Sequence, residues 1–152
     1  MNTSTKVVIV TVLVGVLGFL TEPNGPFGSF WAPSPMVPEA TGVQVPLFMI
    51  LGAIEALALG LGVSFLLFGY STLKANVPVS APLTRAAHVS IAWFLGNWWA
   101  HDSLHLHNGM NLNGLLGIEY GFHVTLMIAG VILLRFFLAV VRAPAALQAR
   151  AV

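Results

Sequence analysis

The chain has 152 residues, 57% of them hydrophobic and only 7% charged, with a mean hydropathy of +0.89. Runs of roughly 20 apolar residues mark bilayer-spanning helices rather than a soluble core. The lack of cysteine excludes disulfides, thiolate metal sites and iron–sulfur clusters, and six scattered Lys and Arg residues form no patch for nucleic acid.

The first apolar segment covers about residues 7–20 and follows Lys6. A short apolar run behind a cation also opens a secretory signal. However, Thr21-Glu22-Pro23 lacks the small-x-small cleavage signature, so the segment is expected to stay as a helix. Residues 21–44 then hold Pro23, Pro26, Pro33, Pro35 and Pro38, which forbid a regular helix. Phe27, Phe30 and Trp31 suit an outer loop at the membrane interface.

The second segment, about 45–70, carries Glu55 roughly 15 Å into a core of about 30 Å. An ionisable group at that depth is a functional candidate, as a ligand, a proton relay or a buried acid. Gly52, Ala56 and Gly60 form a row of small residues beside it, which lets another helix approach closely. Lys74, Pro78 and Pro82 mark a short turn into the third helix, about 86–106.

That third helix ends in the densest chemistry of the chain. Three histidines and an aspartate occur within the seven residues from His101 to His107. His101 and His105 are four apart and share a helical face with Asp102 beside them, a spacing that suits two imidazoles on one cation. His107 points elsewhere on an ideal helix and joins only if the helix ends near Leu106, as Asn108-Gly109 permits.

After an outer loop at 107–114, the fourth helix, about 115–141, brings Glu119 and His123, again four apart. Helices joined by a short connection are antiparallel neighbours, so His101, His105, Glu119, His123 and Asp102 can meet at one end. His123 lies about 6 Å deeper than Glu119 at ~1.5 Å per residue, which makes it the expected partner of Glu55. His88 lies near the opposite end beside Arg85 and is read as structural. Trp93, Trp98 and Trp99 read as packing and an interfacial belt.

Charge sets the orientation. Lys6, Lys74, Arg85, Arg135, Arg142 and Arg150 all fall on one side of four helices, and both opposite loops have none. The positive-inside rule then places both termini in the cytoplasm and the histidines outside. The expected fold is an all-α integral membrane protein, a single domain over 1–152 built as a four-transmembrane-helix bundle, in a bacterial inner membrane.

His101-Asp102-Ser103-Leu104-His105 has the H-x-x-x-H spacing of membrane fatty-acid desaturases and hydroxylases. The H-x-x-H-H forms that those enzymes also need are missing, so that family is not assigned. Haem is disfavoured because only His101 and His123 have matching depth among facing helices. The leading expectation is a His/carboxylate metal site for copper, then iron or zinc, since imidazoles without thiolates suit these ions. Met36, Met49 and Met110, all expected near the outer side, add weight to copper. The runner-up is an accessory subunit, in contact with other membrane subunits or a second copy as well as the lipid bilayer. A proton- or quinone-linked protein ranks third.

Overall fold

The computed structural model describes residues 2–149, with side chains to residue 143. Arg150, one of the six cations that set the expected orientation, lies outside the described residues. The described chain is all-helical, with α1 (Thr3–Thr21), α2 (Gln44–Asn76), α3 (Ala81–Asn108), α4 (Leu112–Ile118), a π-helical turn (Glu119–Val124) and α5 (Thr125–Ala149). The last three run on as one rod, so four rods form the bundle. Each extends beyond the apolar stretch that announces it in the sequence. Three rods are long and apolar enough to cross a membrane: α1, α2 and the rod from Leu112 to Ala143. The polar C-terminal stretch of α3, from Asn97 to Asn108, sets that helix apart.

Local chemistry fixes the helix ends. Asn2 caps α1 by accepting from the Thr5 backbone N–H at 2.8 Å, and Asn111 caps α4 by accepting from Asn113 and Gly114 at 3.1 and 3.3 Å. Gly109 ends α3 at φ +55°, a backbone setting that glycine reaches without a Cβ penalty. Its N–H bonds back to the His105 carbonyl at 3.0 Å.

Packing follows chain order: α1 lies on α2, α2 on α3 and α3 on α5. The α1–α2 seam is a zipper of small residues in antiparallel register. The Thr11 hydroxyl donates to Ser64 Oγ at 2.9 Å, Gly15 and Gly18 abut Ala56, Gly60 abuts Thr11, and Gly52 abuts the Glu22 carboxylate. The expected use of the Gly52, Ala56 and Gly60 row for close helix approach is realised here, with α1 as the partner. On α2's other side Gly62 meets Ala92 and Gly96 of α3.

The Pro-rich segment folds over the C-terminal end of α3. Its 3-10 turn, Gly28–Trp31, sets Trp31 edge-on to Trp99 at 5.8 Å, and Trp99 Nε1 donates to the Gly18 carbonyl at 2.9 Å. The Ser34 N–H reaches the Leu106 carbonyl at 2.9 Å. At the opposite end, His88 is buried against Phe65 and Tyr70, with Nε2 2.9 Å from the Phe65 carbonyl. That arrangement accounts for His88 as a packing residue.

Candidate metal centre

α3 is helical through Asn108, so His101 and His105 do share one face, with ring centroids 4.5 Å apart. The π-helical turn supplies the opposing wall. A π turn is wider than an α turn and re-phases the side chains that follow it. Here Phe122 stacks on Trp93 at 5.6 Å and meets His101 edge-on at 5.5 Å, while His123 is presented to α3. Thr125 closes the turn: its hydroxyl donates to the Gly121 carbonyl at 2.7 Å and accepts from Trp93 Nε1 at 3.0 Å.

The geometry of the imidazoles is specific. His101 Nε2 and His123 Nε2 face each other at 3.0 Å. Behind them, His101 Nδ1 lies 2.5 Å from Asp102 Oδ1, and His123 Nδ1 lies 2.6 Å from Glu119 Oε2. Each carboxylate can only accept, so each Nδ1 is assigned the proton and each Nε2 is left with its lone pair. Two lone pairs then converge at hydrogen-bond distance, an arrangement that calls for a proton or a metal ion between them.

His101, His105 and His123 offer nitrogens that all lie within 4.8 Å of one another, and these three residues can hold a metal ion. Two ligands at about 2.0 Å from a tetrahedral ion stand ~3.3 Å apart, so the 3.0 Å separation is close to a ligating distance. His101 is largely shielded, at 14% side-chain exposure, and His123 is more open at 43%.

The remaining expected site residues are placed as follows. Asp102 and Glu119 each sit behind an imidazole. His107 lies away from the cluster, with Nδ1 3.2 Å from the Ala32 carbonyl and its ring edge-on to Trp31 at 6.4 Å. Glu55 shares a cavity wall with Asp102 and not with His123, the partner that matching depth predicts. The reason is helix order: His123 stands on the rod packed against α3, and Glu55 stands on α2, on the other side of α3.

One acid escapes the sequence reading. Glu22, just past α1, is 7% exposed and lines a cavity of about 240 Å³ together with Glu55, Asp102 and His105. Burial raises its carboxyl above the ordinary range. The signal for it was present: Thr11, Gly15, Gly18 and Glu22 continue one face of α1, matching the small-residue row of α2.

No family model, curated protein or solved structure matches the chain.

Proposed function

We propose that this chain is an integral membrane protein that binds a single transition-metal ion through His101, His105 and His123. The observation that carries this reading is the facing of two Nε2 atoms at 3.0 Å, each imidazole being held from behind by a carboxylate. Carboxylate–imidazole–metal triads orient the ligand, fix its tautomer and raise its basicity. Asp102 and Glu119 therefore act on this reading as orienting acceptors rather than as ligands. Copper is the first choice, then iron or zinc. The ligands are imidazoles alone, and Met36, Met49 and Met110 add soft donors in the outer half.

The membrane setting belongs to the same proposal. Charge places the termini on the cytoplasmic side of a bacterial inner membrane and the metal on the outer side. With three protein ligands, a bound ion keeps a position open for water or substrate. A redox-active ion there serves oxidation or electron transfer; a redox-inert one serves storage or delivery.

Elemental analysis and an absorption spectrum of the detergent-purified protein test this directly. Stoichiometric metal that disappears in a His101→Ala/His105→Ala variant is the expected result. Full occupancy in that variant, or no metal after reconstitution with copper, iron and zinc in turn, would sink the assignment.

One observation favours a second reading. Glu119, His123, His101 and Asp102 form a run of hydrogen-bonding groups, and Asp102 shares a cavity with Glu55 on the next helix. Such a run can pass a proton between the outer surface and the middle of the bundle. Activity that needs Glu55 but not His105 would move the choice to proton transfer.

A further inference from the structure

The cavity beside the imidazoles is not explained by three nitrogen ligands. Glu22 and Glu55 line it, Asp102 and His105 form the wall shared with the imidazole cluster, and Phe48 and Leu51 close the apolar side. Glu22 is more than nine-tenths buried, yet no hydrogen bond from the described residues reaches its carboxylate, which lies against Gly52 on the cavity wall. Two further acids, Glu55 and Asp102, line the same cavity. Among the described residues no Lys or Arg lines the cavity: Lys6 opens α1, Lys74 closes α2, Arg85 opens α3, Arg135 stands midway along α5 and Arg142 lies beyond it.

Three acids around a partly buried cavity, with no Lys or Arg among the described residues at that end of the bundle, are neutralised by protons or by a cation that displaces them. A volume of about 240 Å³ accepts a metal cation with several of its waters, at ~30 Å³ of liquid volume each. The three acids do not converge as the imidazoles do: among the described residues the one group close enough to share an ion directly is His101, His105 and His123. The acids thus suit an ion that keeps its water shell. His105 lies on the boundary, lining the cavity and belonging to the imidazole cluster.

We infer that this cavity is a loading station, in which Glu22 and Glu55 hold a hydrated metal cation before His105 draws it into the imidazole site. The inference rests on the metal-binding reading above. The step is ligand exchange: imidazole nitrogens replace aqua ligands, the water leaves to solvent, and no electron moves. The acids supply attraction and a short dwell beside the site, which raises the rate of capture.

The test uses the metal-free full-length protein in detergent and cupric ion alone. Trp98, whose ring lies 6.3 Å from His101, reports arrival by fluorescence quenching in stopped flow. Glu22→Gln and Glu55→Gln should each slow loading about tenfold and flatten its dependence on salt. Glu22→Asp, which keeps the charge, should stay within about threefold of wild type. With copper in excess, every variant should end at the wild-type copper content. Wild type that loads while both Gln variants load equally fast would overturn the loading station alone. A Glu22→Gln protein that is folded by circular dichroism yet holds no copper would make Glu22 a ligand and overturn it too. Wild type that takes up no copper would bring down the metal-binding reading itself.

Discussion

The carboxylate of Glu22 occupies the space that a side chain at Gly52 would fill. This one relationship joins two features of the molecule: the small-residue seam that holds α1 on α2, and the acidic cavity at the end of the seam marked by Glu22 and Gly52. Gly52→Ala should therefore cost about 1–3 kcal/mol through overpacking. Thermal unfolding in detergent reads the cost. Glu22→Ala placed on top of it should recover most of the loss, because the two changes share one volume. Strict additivity in that double-mutant cycle would show that the two residues do not compete for space.

Ligands and their supports should separate by magnitude. His101→Ala and His123→Ala each remove a nitrogen that faces the other, so either should abolish stoichiometric metal. Asp102→Asn and Glu119→Gln leave the imidazoles in place and should weaken affinity only about 10–100-fold. Competition titration against a chelator of known affinity distinguishes the two outcomes. Complete loss of metal in Glu119→Gln would place that carboxylate on the ion.

The stability of the metal-free protein should fall as pH rises. Burial raises the Glu22 carboxyl above its ordinary value of 4.5, with Glu55 of α2 and, beyond it, Asp102 of α3 as the charged groups that face it. A group that binds its proton more tightly when folded contributes full stability below 4.5. That contribution is lost as pH climbs through the raised value. Melting curves from pH 4.5 towards neutrality should show a declining Tm, with a shallower decline in Glu22→Gln. A wild-type Tm that climbs over this range would mean that a cationic group meets Glu22.

Asn97 offers a test of the core. It is 1% exposed, its Nδ2 donates to the Trp93 and Phe94 carbonyls at 2.6 and 3.2 Å, and its Oδ1 has no partner among the described residues. A buried acceptor without a donor costs more than an apolar group of similar size. Asn97→Leu should raise stability by about 1 kcal/mol in chemical or thermal unfolding. A loss of that size would reveal a water or other donor at Oδ1.

Much of this architecture was legible in the chain, for a physical reason. Hydrophobic runs and the spacings of His101 with His105 and of Glu119 with His123 are local properties, and helices preserve local spacing. The partner of Glu55 was not legible, because depth in a membrane is one coordinate and helix order around the bundle is another. Glu22 was hidden for a related reason: its burial depends on Gly52, 30 residues away, having no side chain. The wide turn at Glu119–Val124 carries no composition signature. It shows itself only through Phe122 stacked on Trp93 and Thr125 bonded back to Gly121.

That turn makes the whole centre contingent on a single residue. A π turn holds one residue more than an α turn, so removing any one position between Glu119 and Val124 would restore a regular helix. Everything on the N-terminal side of the deletion would then swing by roughly 100° about the axis. The pair that anchors His123 would be broken or turned from α3, while hydropathy, length and charge would scarcely change. By the same logic, inserting one codon into an ordinary transmembrane helix is enough to bring an imidazole round to its neighbours. A site of this kind can thus be gained or lost in one genetic step.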